Sequence, residues 1–273
     1  MKRLASILVL TTVFACGDDV QDGTGGAGTG GNGGAGGTAG SQEFPLEGPY
    51  ATVFEENDDF VYFFPEDLGA DSPWPALIWF NGRSGYQDDF NYNGLLESVA
   101  SWGFIVIGGK SMGMNPVETD QLTELLRRNG DPTDELSGRV DEQRIAVAGH
   151  SLGAFQTTAA SPDYRVAVAV QGGGPPSPVM PEGAPTLFMT SEGDEEVSAD
   201  LVIAAYEAAV EDAWLANHAF ADHNDPRGDG GVYREPIVAF LRWKLHDDAG
   251  GGAWFVGDAC VLCEAAEWSF DTR

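Results

Sequence analysis

Cations are scarce in this chain. Lysine and arginine together number 14 against 43 aspartates and glutamates, a formal charge of −29 over 273 residues. A surface of that sign repels nucleic-acid phosphates and anionic lipid headgroups, so both are excluded as partners and a neutral substrate is favoured. Cysteine is equally sparse, at three residues. Cys260 and Cys263 form a C-x-x-C pair near the C-terminus. A thioredoxin-like motif would sit after a strand and open a helix in a βαβ unit, and a zinc site would need further Cys or His ligands that this tail lacks. Redox catalysis and metal binding are therefore not expected, and in an oxidising compartment the pair reads as a local disulfide clip. The apolar run Leu4 to Phe14 is too short for a stable transmembrane helix.

What that run does fit is an export signal. Lys2 and Arg3 precede it and Cys16 follows Ala15, so residues 1–15 read as a signal peptide. Val13-Phe14-Ala15-Cys16 resembles the lipobox at which bacterial lipoproteins are cleaved and acylated on the new N-terminal cysteine, although Phe14 is unusual there. Ordinary secretory cleavage near Ala15, leaving Cys16 as a spare thiol, is the alternative. The expected location is thus the cell envelope, on a periplasmic or cell-surface membrane face through a lipid on Cys16, or outside the cell if released. From Gly23 to Gly40 eleven of eighteen residues are Gly and the rest Thr, Ala and Asn, which cannot bury a core. Residues 16–42 are read as a flexible tether, with a root-mean-square span of about 28 Å. Residues 43–273 remain, a length suited to one monomeric α/β domain.

Short apolar strands alternate with helical stretches after about residue 75, the pattern of a mostly parallel sheet with helices on both faces. Strands are predicted at Ala76–Phe80, Phe104–Gly108, Arg144–Ala148, Arg165–Val170, Thr186–Thr190 and Ala213–Asn217, with Asp59–Phe64 as an antiparallel edge. Helices are predicted at Asn91–Trp102, Val117–Arg128, Leu152–Ala160, Ala199–Val210 and Glu235–Leu245. Ligands in such sheets bind at the carboxyl ends of the strands, so the residues just after each strand carry the functional reading.

One of those segments stands out. Strand Arg144–Ala148 runs into Gly149-His150-Ser151-Leu152-Gly153 and then a helix, the setting in which a G-x-S-x-G turn exposes its serine as a nucleophile. Serine needs a base and a group to orient that base. Asp194, after Thr186–Thr190, is the expected acid, with Glu192 a possible substitute. Four histidines compete for the base. His150 lies inside the turn, where it would line the substrate pocket; His246 ends the last helix as a C-terminal charge; His218 ends its strand. His223, in the loop beyond, is the preferred base. An oxyanion would be held by the backbone N–H groups of Leu152 and Arg83, with Ser84 the neighbouring choice for the second donor.

With Phe80-Asn81-Gly82, Ala100-Ser101-Trp102-Gly103-Phe104, Gly138-Arg139-Val140-Asp141 and Pro185-Thr186-Leu187-Phe188 around this constellation, the chain resembles the cutinase-like and polyester-hydrolase branch of the α/β-hydrolases, near the dienelactone-hydrolase and chlorophyllase groups. The resemblance runs through most of residues 75–245. It implies the α/β-hydrolase fold, a Ser151–His223–Asp194 triad and hydrolysis of small or polymeric esters without a cofactor. Members of that branch clamp aromatic substrates with a Tyr and a Trp, and the corresponding positions here are Arg83 and Gly174. Tyr86, Phe90 and Tyr92 are candidate partial replacements, and Gly172 to Gly174 are expected to leave room beside Ser151. A serine peptidase or amidase would use the same triad. A dehalogenase would need a carboxylate at position 151, and a catalytically silent binding lipoprotein would have no need of all three triad members.

Overall fold

A computed structural model describes residues 43–273 apart from 70, 84–90, 111–116, 174–182, 211 and 259, with residues 117–119 described in backbone only. The signal peptide, Cys16 and the tether lie outside the described residues, as do Ser84, Tyr86, Phe90 and Gly174.

The domain is an α/β fold built on a nine-stranded sheet in the order β1-β2-β4-β3-β5-β6-β7-β8-β9. Its strands are β1 (Thr52–Glu56), β2 (Phe60–Pro65), β3 (Trp74–Phe80), β4 (Ile105–Gly109), β5 (Val140–His150), β6 (Val166–Val170), β7 (Thr186–Ser191), β8 (Ala213–His218) and β9 (Trp268–Thr272). Strands β3 to β8 run parallel, while β1, β2 and β9 pair antiparallel. Successive side chains on a strand point to opposite faces. Leu77 and Trp79 of β3 accordingly pack with Leu95 and Val99 of α1 (Asn93–Ser101) and Ile237 and Phe240 of α5 (Arg234–His246). Ala76, Ile78 and Phe80 pack on the other face against Leu125 of α2 (Val117–Gly130). Ala154 of α3 (Leu152–Ala160) joins Phe188 and Val202 of α4 (Ala199–Glu207) in a third cluster. Each of the fully buried large side chains contributes about 2 kcal/mol by leaving water.

The sheet has two strands that the hydrophobic pattern does not announce. β1 and β9 carry exposed acidic residues among their apolar ones, which is how an edge strand avoids pairing with another chain. The segment expected as the antiparallel edge, β2, therefore lies one strand in, between β1 and β4. α1 starts two residues later than its periodicity suggests, because the Asn91 side chain accepts from the Asn93 N–H (3.0 Å) in a local turn that precedes the helix. Near the C-terminus Cys260 and Cys263 are disulfide-bonded, with Cα atoms 5.2 Å apart, at the start of a short helix (Val261–Glu264).

The parallel registers align the strands' carboxyl ends. Phe80 sits opposite Gly149, His150 opposite Val170, Val170 opposite Met189 and Ser191 opposite His218. Loops after five adjacent strands thus emerge on one side of the sheet, and they carry Arg83, Ser151, Gln171, Asp194 and His223.

Candidate active site

Ser151 joins β5 to α3 without a spacer, and its backbone adopts φ 55° and ψ −118°. A non-glycine residue in that region is strained by roughly 1–3 kcal/mol and persists only where its surroundings over-determine it. Here they do. A Cβ on Gly153 would stand 2.1 Å from the Phe80 carbonyl oxygen, and one on Gly149 would stand 2.6 Å from the Gly153 carbonyl carbon. Only glycine permits β3, β5 and α3 to meet this closely. The Ser151 N–H donates to the Val170 carbonyl (2.9 Å), and its own carbonyl accepts from Ala154 (3.0 Å). Its side chain makes no capping bond to α3 and points away from the helix.

That hydroxyl meets His223. Ser151 Oγ lies 2.9 Å from His223 Nε2, and His223 Nδ1 lies 2.8 Å from Asp194 Oδ2. The other Asp194 oxygen accepts from the Glu196 N–H (2.8 Å) and the Val197 N–H (2.9 Å), and the side chain is fully buried. Asp194 accepts the Nδ1 proton, which leaves the Nε2 lone pair facing the hydroxyl. Glu196 Oε2, more exposed, lies 3.7 Å from the same Nε2.

The other candidates fall elsewhere. Glu192 accepts from the Asn217 side chain (2.6 Å), while Asp194 is the carboxylate that meets His223. His218 accepts the N–H groups of Phe220 (3.2 Å) and Ala221 (2.9 Å) at Nδ1, shaping the turn that leads from β8 to His223; burial lowers its pKa below the ordinary histidine range. His246, expected as a helix-terminal charge, is instead neutral near pH 7. Its Nε2 donates to the Gly103 carbonyl (2.9 Å), its ring meets Phe104 edge-on at 4.9 Å, and burial pulls its pKa down to about 4. Being enclosed against Phe104 outweighs any benefit of a cation at the helix end.

His150 requires a larger correction. Expected to line the substrate pocket, it is completely buried behind the elbow, and desolvation holds its pKa well below the ordinary range. Its Nδ1 lies 2.8 Å from the Tyr92 hydroxyl, and its ring centroid is 4.7 Å from that of His223. Tyr92 is 1 % exposed and serves as no substrate clamp. Gly172 is itself buried, and a Cβ there would lie 2.4 Å from the Ser151 carbonyl oxygen, so this glycine serves to admit the elbow's backbone.

Arg83 follows Gly82, whose ideal Cβ position is 3.5 Å from Ser151 Cβ, so this peptide lies beside the serine. Leu152 is the first residue of α3, where backbone N–H groups have no partner inside the helix. Among the described residues no cluster of three His, Cys, Asp or Glu side chains is arranged to hold a metal ion. Sequence reasoning missed the roles of Tyr92 and Gln171. The latter is buried at φ 46°, and its Nε2 donates to the Asp222 carbonyl (2.7 Å) beside His223. Nothing in the local sequence around either residue signals contacts to partners more than 50 positions away in the chain.

No protein-family model matches the chain, and no curated protein sequence matches it.

Proposed function

We propose that the chain is an exported serine hydrolase of the α/β-hydrolase superfamily that cleaves carboxylic esters. The observation that carries this reading is His223 bridging Ser151 Oγ and Asp194 Oδ2 at 2.9 and 2.8 Å while Ser151 is held at φ 55°. A serine strained at the end of a central strand and hydrogen-bonded to an oriented imidazole is arranged for nucleophilic attack. His223 Nε2 takes the Ser151 proton as Oγ bonds to the ester carbonyl carbon. The carbonyl oxygen becomes an oxyanion held by the Leu152 and Arg83 N–H groups, and Asp194 stabilises the imidazolium. Collapse of the tetrahedral intermediate breaks the C–O bond, His223 gives its proton to the departing alcohol, and an acyl-Ser151 remains. Water, deprotonated by the same histidine, releases the acid. The acidic surface favours a neutral ester.

The test is covalent labelling and turnover. Wild-type protein is expected to take a fluorophosphonate at Ser151 and to cleave p-nitrophenyl esters of short acids, and Ser151→Ala to do neither. An unlabelled wild type overturns the reading, and cleavage of peptides with esters untouched replaces esterase by peptidase. Export through Cys16 belongs to the same proposal. Cys16→Ser is expected to move the protein from the membrane fraction to the soluble one; an unchanged distribution counts against the lipid anchor.

A further inference from the structure

We infer that Tyr92 and His150 are positioning residues, forming a buried relay that pins the Gly82–Arg83 peptide at a fixed distance from Ser151. The inference rests on the hydrolase reading above and deepens it. It assigns a role to the residue just before the nucleophile in the elbow and to a tyrosine that touches no substrate.

Two hydrogen bonds make the relay. The Gly82 N–H donates to the Tyr92 hydroxyl oxygen (3.2 Å), and that hydroxyl lies 2.8 Å from His150 Nδ1. A peptide N–H is a donor only, so the hydroxyl accepts from Gly82 and keeps a second hydrogen bond for His150 Nδ1. The other ring nitrogen of His150, Nε2, is buried without a hydrogen-bond partner among the described residues, so the ring's one hydrogen bond there is the one to Tyr92. Both side chains are buried: Tyr92 is 1 % and His150 0 % exposed. A hydrogen-bonded chain in such a setting is rigid, because breaking one link leaves a buried polar atom unsatisfied.

The placement gives the relay its consequence. Gly82 is the flexible element of the oxyanion loop, since it has no Cβ to restrict its backbone. Its N–H is the atom the relay holds, and the next N–H along the chain, on Arg83, is the second oxyanion donor. At its other end the relay is anchored on the residue bonded directly to Ser151. The imidazole of His150 thus references the oxyanion loop to the nucleophile's own backbone. Such donors act only when held close to where the negative charge develops. The relay supplies stiffness that an Asn-Gly sequence does not possess.

The experiment compares full-length wild type, Tyr92→Phe, His150→Leu and His150→Asn, measuring kcat and KM on a p-nitrophenyl ester and on its thionoester. A thiocarbonyl sulfur is larger and a weaker hydrogen-bond acceptor, so the oxygen-over-sulfur rate ratio reports on the oxyanion hole itself. Tyr92→Phe is expected to lower kcat about 10-fold with KM within about twofold, and to shrink the rate ratio in proportion. His150→Leu, which leaves the tyrosine's packing intact, behaves the same way. His150→Asn, whose amide can replace Nδ1 as the hydroxyl's partner, retains kcat within about threefold. Wild-type kcat in both Tyr92→Phe and His150→Leu, or a fall in kcat with the ratio unchanged, overturns the relay. A wild type that neither cleaves ester nor takes the fluorophosphonate sinks the hydrolase reading, and the relay with it.

Discussion

Replacing Asp194 by asparagine tests the proposed triad at the level of a single proton. The two oxygens of Asp194 have different partners: one accepts two backbone N–H groups, from Glu196 and Val197, and the other faces His223 Nδ1 at 2.8 Å. An asparagine in the same rotamer has one oxygen and one NH2. With the NH2 on the backbone side it would confront two donors at 2.8 and 2.9 Å in a buried site. The amide therefore turns its oxygen to the backbone and its NH2 to His223. Nδ1 must then be the acceptor, which moves the imidazole proton to Nε2 and aims it at Ser151 Oγ. The base now donates to the hydroxyl it should deprotonate. A wrong tautomer in a triad costs about 10⁴-fold in kcat, or about 5 kcal/mol of barrier. Stopped-time hydrolysis of a p-nitrophenyl ester, with active sites counted by titration, measures the loss. Far-ultraviolet circular dichroism and the melting midpoint should stay close to wild type. A variant that retains kcat within tenfold of wild type would refute both the tautomer argument and the role given to Asp194.

Two further perturbations test the scaffold. Gly153→Ala places a methyl 2.1 Å from the Phe80 carbonyl oxygen, a backbone clash expected to cost about 3 kcal/mol in urea denaturation; an unchanged midpoint would contradict the tight elbow. His246 has a folded pKa of about 4, depressed by burial from the ordinary 6.5, so the unfolded chain binds its proton first. The stability this histidine contributes is complete above about pH 6.5 and is lost as pH falls toward about 4. Allowing for its partial exposure, the loss is about 2 kcal/mol. His246→Gln, which can keep the bond to the Gly103 carbonyl without titrating, should flatten that part of the stability-versus-pH curve, and an unaltered acid limb would argue against it.

Much of the frame was legible because it is written in local chemistry. Runs such as Leu77–Phe80 and Ala146–Ala148 are buried on both faces, and their apolar continuity marks strands whatever their neighbours. The edge strands Thr52–Glu56 and Trp268–Thr272 were not legible, because an edge must carry charge and so resembles a loop. Helix ends shifted by a few residues where side chains such as Asn91 closed their own turns. At the site, Ser151, Asp194 and His223 could be picked out since each follows a strand, in a fixed order along the chain. The histidines were harder to sort: residue type says nothing of enclosure, and enclosure makes His150 and His246 neutral, internal groups rather than a pocket wall and a helix charge.

The sequence by itself determined the alternation of strands and helices, the sharp turn that only Gly149 and Gly153 permit, and the short list of groups near it. These follow from steric and hydrophobic preferences that act within a few residues. Only the tertiary structure decided that the carboxyl ends of β3, β5, β6, β7 and β8 lie side by side, so that residues 72 positions apart meet at 2.9 Å. It also decided that Tyr92 reaches His150 across 58 positions. Sheet register and burial are properties of the assembled chain, because the partner that satisfies a buried hydroxyl or imidazole is chosen by packing.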